Sequence, residues 1–346
     1  MRAVRWHARG DVRVDDVPPP PAPADGEIQL RIRWCGICGT DVEEYRGGPH
    51  FIPTREPHPL TGARAPLTLG HEFSGTVVAV GARVSQFREG DLVAADTLIP
   101  CNTCRWCQAH LPMLCDQLAA LGLMADGGLA ELCNAPAATC LPVPASVPAD
   151  AAALAETAAV SIRAVGRGRI QRGDSVAVVG AGPVGLMALQ ASRARGASHV
   201  VVIDPLAERR SLALALGAAA VFHPDECDLQ ADVALECSGH PTGVQTAIGA
   251  TGKRGRIVLV GIYGQPSTVH LLPVVVGERE IVGSLSHVYD QDFAQALELL
   301  ASGDIRAEPL ISDRLPLERA VDAGLLALVA EPSRHLKILI SPDLAV

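Results

Sequence analysis

The first part of the chain consists of short apolar runs that glycine and proline interrupt. Ile28–Trp34, Gly75–Val80 and Asp91–Ala94 each have the length and the apolar content of a strand. The proline-rich stretch Val17–Glu27 contains no such run and predicts a stiff, extended connector between strands. From Met1 to about Asp150, the pattern therefore predicts a β-rich domain.

The pattern changes after an alanine-rich helical stretch, Ala149–Gly166. Two buried strands, Ser175–Val179 and His199–Ile203, flank a predicted helix at Pro183–Arg195, and the segments ADVALEC and GRIVLVG continue the alternation. Strands that alternate with helices are typical of a parallel sheet with crossover helices. The middle of the chain is thus predicted to form an α/β domain.

The alternation stops after about Ser286. A helix at Asp292–Ser302, another helix and a last strand at Leu336–Ile340 follow. We expect this single terminal strand to return to the first domain, so that the second domain is an insertion. The expected boundaries are 1–153 with 288–346 for the β-rich domain and 154–287 for the α/β domain.

Composition narrows the classes of partner. The chain has 346 residues, enough for about two domains, and 48% of them are apolar. A net charge of −9 argues against nucleic acid or an anionic membrane as the main partner, and no apolar run approaches the roughly 20 residues of a membrane span. Met1 is followed by RAVRWHARG, which lacks the apolar core of a signal peptide. Because secretion is not indicated, the ten cysteines are expected to be thiols in a reducing cytoplasm.

Four cysteines lie in one polar stretch, CNTCRWCQAHLPMLC, with the spacing C-x2-C-x2-C-x7-C. This spacing indicates a closed, structural zinc site with four thiolate ligands. An iron–sulfur cluster is expected to have a three-residue last gap followed by proline, and disulfides need an oxidising compartment. The predicted ligands are Cys101, Cys104, Cys107 and Cys115.

The segment GAGPVG follows a predicted strand and opens a helix, which is the context of a dinucleotide-binding loop. Gly180 permits the tight turn, Gly182 lets a pyrophosphate approach the backbone, and Gly185 allows the helix to pack on the strand. Pro183 and Val184 complete the loop at the helix N-terminus, whose free N–H groups favour phosphate.

Asp204 ends the second strand, where a carboxylate is expected to bind the ribose hydroxyls and to repel a 2′-phosphate. NAD is therefore favoured over NADP. Arg209 and Arg210 are the counter-indication, because an arginine here can bind that phosphate, although both can also be solvated helix residues.

A second set of possible metal-ligating residues is spread along the chain. Cys38 offers a thiolate, His71 an imidazole, and Glu72 and Glu156 carboxylates. Three such ligands with one free position make a catalytic zinc site. Taken singly, His71 can be an ordinary buried histidine, and Cys38 can be a core thiol or, with Cys35, resemble a C-x-x-C redox pair.

Taken together, GHE, the four-cysteine segment and GAGPVG resemble the zinc-containing medium-chain dehydrogenase/reductase family over nearly the full chain. Within that family, the segment that includes the loop Gly47–Leu69 resembles (R,R)-2,3-butanediol dehydrogenases, followed by sorbitol and threonine dehydrogenases. The resemblance implies an α/β protein, with a GroES-like β-rich catalytic domain and a Rossmann domain built on a doubly wound parallel sheet. It places the cofactor in the cleft between them.

The resemblance also implies roles for individual residues. Cys38, His71 and Glu156 are expected to bind a catalytic zinc, with Glu72 as a nearby or alternative ligand. Thr40 is expected to hydrogen-bond the substrate oxygen and take its proton, and Asp41 to orient His71. Two zinc ions per chain are therefore expected.

Three positions depart from the family pattern. Glu43 replaces the histidine that usually passes the proton to solvent, Thr157 replaces a proline, and Arg163 stands where histidine is common. A carboxylate at Glu43 can still relay a proton, with a lower intrinsic pKa. Glu43 and Arg163 can equally be exposed charges.

The resemblance implies a zinc- and NAD-dependent oxidoreductase that interconverts a secondary alcohol, in a vicinal diol or polyol, with its ketone. Alternatives are an L-threonine, amino-alcohol or aminocyclitol dehydrogenase, and a nucleotide-binding protein without catalysis. The expected partner is a small alcohol or ketone, without nucleic acid or membrane. Relatives also imply a homodimer or homotetramer.

Overall fold

The computed structural model describes residues 1–227 and 229–344, and its strands follow the apolar runs of the sequence. In chain order the strands are β1 (Arg2–Ala8), β2 (Asp11–Asp16), β3 (Glu27–Gly36), β4 (Leu67–Thr68), β5 (Glu72–Val80), β6 (Leu92–Ala95), β7 (Leu98–Ile99), β8 (Ala119–Ala120), β9 (Leu132–Pro136), β10 (Cys140–Pro142), β11 (Ser175–Val179), β12 (His199–Ile203), β13 (Ala220–Phe222), β14 (Ala231–Glu236), β15 (Thr251–Leu259), β16 (Glu280–Gly283), β17 (Ile311–Pro316) and β18 (Lys337–Ser341).

The α-helices are fewer than the strands, and most of them lie in the second half of the chain. The α-helices are α1 (Gly39–Gly47), α2 (Arg105–Gln108), α3 (Ala149–Ala152), α4 (Ala155–Arg167), α5 (Pro183–Ala194), α6 (Ala207–Ala215), α7 (Gly243–Ala250), α8 (Leu272–Val276), α9 (Ala294–Ser302) and α10 (Leu326–Ala330). Short 3-10 turns occupy Pro112–Leu114, Ala137–Thr139, Pro224–Glu226, Glu308–Leu310 and Leu317–Arg319, and π-helical turns occupy Tyr289–Phe293 and Ala320–Leu325.

The chain forms two compact units. The first contains Met1–Glu156, Val288–Leu297 and the chain from Leu310 onward, and the second contains Thr157–His287 and Glu298–Pro309. Among the described residues, no helix combines the length and the apolar character that a membrane crossing requires.

The first unit is built on a mostly antiparallel sheet with the strand order β10-β6-β5-β3-β18-β17, and β9 also pairs with β3. Strand β18 pairs with β3 antiparallel and with β17 parallel, so the C-terminal segment completes this sheet. Alternate residues of β3 are buried in one core, including Ile28, Leu30 and Ile32. The connector at residues 17–26 joins β2 to β3, as the sequence predicted.

The second unit is a six-stranded sheet in the order β13-β12-β11-β14-β15-β16, with every neighbouring pair parallel. The order reverses between β11 and β14, which defines a doubly wound Rossmann sheet and confirms the predicted fold class. Strands β11 and β12 are nearly continuous apolar runs because helices cover both faces of such a sheet.

Two helix predictions differ from the structure. The stretch predicted at Ala149–Gly166 is divided into α3 and α4, because Leu154 donates its N–H to the Ala151 carbonyl in a tight i→i+3 turn. The helix predicted from Asp292 is preceded by a wide turn, in which Phe293 N donates to Val288 O. The Asp292 carboxylate accepts from Val288 N at 2.8 Å and holds that turn.

Candidate metal centres and dinucleotide site

The four predicted zinc-site cysteines converge in space. The sulfurs of Cys101, Cys104, Cys107 and Cys115 all lie within 4.8 Å of one another. Cys104 and Cys107 are 3.6 Å apart at Sγ, and Cys101 and Cys107 are 4.0 Å apart. A tetrahedral zinc with bonds of about 2.3 Å to sulfur requires sulfur–sulfur distances of roughly 3.8 Å. The donor set and its size therefore fit zinc.

The surrounding backbone also favours thiolates in this lobe. Cys104 N and Thr103 N donate to Cys101 Sγ, at 3.3 and 3.5 Å. The Thr103 hydroxyl and these N–H groups lower the pKa of Cys101 to about 6, whereas burial raises the pKa of Cys107 to about 12. A bound cation would stabilise all four thiolates, since the metal charge is the largest local charge in such a site.

A second donor group joins Cys38, His71 and Glu72, whose ligand atoms all lie within 4.8 Å of one another. Cys38 immediately precedes α1, and Glu72 opens β5, so rigid elements hold both. His71 is buried, and Cys38 is partly exposed. One sulfur, one imidazole and one carboxylate are a combination that zinc uses in catalytic sites.

Asp41 lies behind this group. Its Oδ2 accepts from Cys38 N at 2.9 Å, and its Oδ1 lies 3.7 Å from His71 Nδ1. Within the described residues, neither Asp41 Oδ1 nor His71 Nδ1 has a hydrogen-bond partner. Burial raises the pKa of Asp41. Burial alone would lower the pKa of His71, but the negative charges of Cys38, Asp41 and Glu156 outweigh it and raise that pKa well above its ordinary value. This excess of negative charge fits a cation.

A buried lysine, which was not predicted from the sequence, forms an ion pair with Glu72 of this group. Lys337 Nζ donates to Glu72 Oε1 at 2.8 Å and Oε2 at 2.5 Å, and to the Ile37 carbonyl at 3.3 Å. The side chains of Lys337 and Glu72 are 3% and 1% exposed. The sequence feature that could have indicated this ion pair is a lysine inside the apolar strand KILIS, because lysine is almost never fully buried without a partner.

The other predicted residues of this site are placed as follows. Thr40 is partly buried, with Oγ1 3.7 Å from Cys38 Sγ, and Glu43 is exposed on α1. Glu156, at the start of α4, lies outside the three-residue donor group, but it is close enough for its charge to raise the pKa of His71. The structure thus brings Glu72, rather than Glu156, into that group.

The GAGPVG segment lies between β11 and α5. Gly180 has φ +94°, and a Cβ at Gly185 would collide with the Gly180 carbonyl, so both positions require glycine. Gly182 is the N-cap of α5, with Pro183 at the first helical position, and the nearest described atom to a Cβ on it, its chain neighbours apart, would be Arg209 Nη1, at 3.8 Å. The helix N-terminus is therefore open to an anionic ligand.

Asp204 lies directly after β12 and is 6% exposed. Its Oδ2 accepts from Ala181 N at 2.7 Å, and its Oδ1 accepts from Leu206 N at 2.9 Å, which joins it to the glycine-rich loop. Arg209 Nη1 donates to Ala181 O at 3.2 Å, and Arg210 donates to the carbonyl of Asp204 at 2.6 Å.

This combination of fold and donor groups defines a zinc-binding, dinucleotide-dependent dehydrogenase. Family models agree. The alcohol dehydrogenase GroES-like domain matches residues 24–145, and the zinc-binding dehydrogenase domain matches residues 183–302. The chain belongs to this alcohol dehydrogenase family and is an oxidoreductase.

Two curated relatives and two crystal structures illustrate the range of similar proteins. The (R,R)-butanediol dehydrogenase of Bacillus subtilis (strain 168) is 34% identical over 99% of this chain and 100% of its own. A crystal structure of 2R,3R-butanediol dehydrogenase from Bacillus subtilis has a TM-score of 0.90 at 33% identity and 99% coverage of both chains. Human sorbitol dehydrogenase is 34% identical over 92% of this chain and 90% of its own. A Sinorhizobium meliloti 1021 zinc-binding dehydrogenase bound to NADP has a TM-score of 0.88 at 29% identity and 99% coverage of both chains.

Proposed function

We propose that this protein oxidises a secondary alcohol of a vicinal diol or polyol to the ketone and transfers the hydride to NAD. The observation that carries the proposal is the group of Cys38, His71 and Glu72, whose donor atoms lie within 4.8 Å of one another. The full-length similarity to butanediol dehydrogenase supports a diol substrate. The similarity to sorbitol dehydrogenase keeps longer polyols as a second candidate class.

We propose two zinc ions per chain. Cys101, Cys104, Cys107 and Cys115 would form a closed structural site, and Cys38 and His71 would hold the second ion with a carboxylate from Glu72 or Glu156. When bound at this second site, zinc supplies Lewis-acid polarisation of an alcohol oxygen.

In the proposed reaction, side chains of the protein transfer the proton of the substrate hydroxyl to solvent. Thr40 Oγ1 accepts the proton of the substrate hydroxyl and passes its own hydroxyl proton on, because its position 3.7 Å from Cys38 Sγ places it beside the donor group. Asp41 holds the backbone of Cys38 by a hydrogen bond, and its second oxygen, 3.7 Å from His71 Nδ1, stabilises positive charge on that imidazole. Glu43, exposed on the same helix, receives the proton and releases it to solvent.

NAD is the proposed cofactor because the Asp204 carboxylate is fixed beside the glycine-rich loop by two backbone N–H groups. A fixed negative charge there disfavours a 2′-phosphate and accepts hydrogen bonds from ribose hydroxyls. Arg209 is the opposing feature, since its guanidinium lies against the same loop. It already donates to Ala181 O, which supports a structural role for this arginine.

Replacing Asp204 with alanine is expected to raise KM for NAD by about tenfold, the equivalent of one good hydrogen-bonding group. The ratio of kcat/KM with NADP to that with NAD should rise at least as much, since the charge that repels phosphate is gone. Steady-state kinetics with both cofactors measures the change. Asp225→Ala, at an exposed aspartate of the same unit, is the control. An unchanged cofactor ratio in Asp204→Ala would remove Asp204 from this role.

We also propose a homodimer that pairs through the edge strand β16. Strand β16 is the last strand of the parallel sheet and pairs with β15 on one side. The segments that flank β16 in the chain carry exposed apolar side chains, 51% to 72% accessible, namely Ile262, Leu271, Leu272, Val275, Val276 and Leu285. Apolar patches at a sheet edge mark association sites, and a twofold axis would pair one β16 with a second copy.

Replacing Val275 with aspartate should convert this dimer to monomer at micromolar concentration, because it places a charge in the apolar patch. Sedimentation equilibrium of both proteins measures the change. The control is Leu214→Asp, since Leu214 is an exposed leucine on α6, away from β16. A variant at Val275 that keeps the mass of the wild-type assembly would rule out this surface.

The proposed location is a reducing cytoplasm. All ten cysteines of the chain lie in the described part, and none of them is joined in a disulfide there. Thiols that must remain available for metal are maintained in reducing compartments.

The substrate class is tested with a panel of 2,3-butanediol stereoisomers, sorbitol, L-threonine and amino-alcohols, with NADH formation followed by absorbance. We expect (R,R)-2,3-butanediol to give the highest kcat/KM. Preference for threonine or an amino-alcohol would replace the diol assignment, and no turnover of any alcohol would contradict the proposed function.

A further inference from the structure

Glu236 is a fully buried carboxylate at the C-terminal end of β14. Its Oε1 accepts from Ser238 N at 2.9 Å and from the Ser238 hydroxyl. Its Oε2 accepts from the Tyr263 hydroxyl and from Gly239 N at 3.4 Å. One carboxylate therefore joins the loops that follow β14 and β15.

The backbone of Glu236 strengthens the same connection. Its carbonyl accepts from Val260 N at 2.9 Å and from Gly261 N at 3.0 Å. A Cβ added at Gly261 would lie 2.8 Å from Glu236 Oε2, so this glycine lets the second loop approach the carboxylate closely. The side chain and the main chain of Glu236 together therefore set the spacing of the two loops.

These loops lie beside the dinucleotide loop. Strands β11 and β14 are neighbours at the point where the strand order reverses, and ligands of doubly wound sheets bind at the carboxyl ends there. Cys237 N donates to Val179 O at 2.8 Å. A Cβ added at Gly180 would lie 2.8 Å from Ser238 N, so the Ser238 loop packs directly on the first glycine of the dinucleotide loop.

We propose that Glu236 is a positioning residue for the dinucleotide: through Ser238, Gly239 and Tyr263 it fixes the cofactor-facing loops at the carboxyl edge of the sheet. The inference rests on the proposed function in one respect, namely that NAD is the ligand at this edge. It concerns cofactor affinity and leaves the alcohol chemistry to the group around Cys38.

The chemistry of the contacts explains why a carboxylate is needed. All four side-chain contacts of Glu236 are donors, namely two N–H groups and two hydroxyls. A carboxylate accepts at both oxygens, whereas an amide turns one end into a donor. Burial and the hydrogen bond to Glu236 raise the pKa of Tyr263, so its hydroxyl keeps the proton that it donates.

The test uses the full-length enzyme with Glu236→Gln and Tyr263→Phe. We expect Tyr263→Phe to raise the Kd of NADH by about tenfold and Glu236→Gln to raise it further, in fluorescence titrations. KM for the alcohol and kcat at saturating NAD should stay within about twofold, a split that a loss of stability alone would not produce. The matched control is Tyr289→Phe, because the Tyr289 hydroxyl donates to the Cys140 carbonyl in the first unit.

An unchanged Kd for NADH in Tyr263→Phe would overturn the inference, even if that variant melts at a lower temperature. Equal losses in cofactor Kd and alcohol KM would overturn it as well. If Glu236→Gln fails to fold, Tyr263→Phe decides alone. Failure of the proposed function is distinguishable, because it would show in the wild type as absent NADH binding or absent alcohol oxidation.

Discussion

Replacing Cys38 with alanine is expected to lower kcat/KM for alcohol oxidation by about 10³-fold or more, while the Kd of NADH stays within about twofold. The substitution removes the sulfur from a group whose three donor atoms lie within 4.8 Å of one another. Loss of a Lewis acid costs several kcal/mol in the transition state, and each 1.36 kcal/mol is about tenfold in rate. Steady-state kinetics and NADH fluorescence titration separate the two quantities.

Cys227→Ala provides the matched control for this prediction. Cys227 is a partly exposed cysteine of the second unit that lies outside both donor groups and forms no disulfide. Its replacement should leave kcat/KM and the Kd of NADH unchanged. A Cys38→Ala enzyme that retains more than about a tenth of the wild-type kcat/KM is incompatible with the proposed catalytic metal site.

Replacing Lys337 with methionine should lower the free energy of unfolding by about 3–5 kcal/mol. The substitution leaves the Glu72 carboxylate, 1% exposed, without the ammonium that donates to both of its oxygens. An uncompensated buried charge is expensive, and Cys38 and Glu156 add further negative charge around Lys337. Urea denaturation followed by circular dichroism measures the difference.

Two further variants make this prediction specific. The double variant Lys337→Met with Glu72→Gln should recover at least half of the loss, because both charges are then absent. Arg334→Met removes the exposed pair with Glu331, whose side chains are 74% and 57% accessible, and should change the free energy of unfolding by at most about 0.5 kcal/mol. If Lys337→Met is as stable as Arg334→Met, the buried pair has no role in holding Glu72.

Much of the fold could be predicted because its signals are local. The apolar runs at Ser175–Val179 and His199–Ile203 coincide with β11 and β12, and the glycine-rich loop lies between β11 and α5 as its spacing indicates. The division of the stretch at Ala149–Gly166 into two helices had no such signal, since alanine favours helix throughout. The two helices meet at a tight turn in which Leu154 N donates to the Ala151 carbonyl.

The residues of the candidate sites also differ in whether a local sequence pattern predicts them. The four-cysteine lobe is encoded within one short stretch, so spacing alone indicates its geometry. By contrast, Cys38 and His71 come from distant positions, and only the family resemblance selected them from the other cysteines and histidines of the chain. The pair of Glu72 and Lys337 joins residues 265 positions apart, and Glu236 and Tyr263, 27 positions apart, lie at or just beyond the ends of two neighbouring parallel strands. No local pattern predicts such long-range contacts.

The most direct measurement is the zinc content of the purified chain by inductively coupled plasma mass spectrometry. We expect about two zinc ions per wild-type chain and about one in Cys38→Ala, with the four-cysteine site still filled. A wild-type value near one, or a value that stays at two in Cys38→Ala, would contradict a zinc ion held by Cys38 and His71.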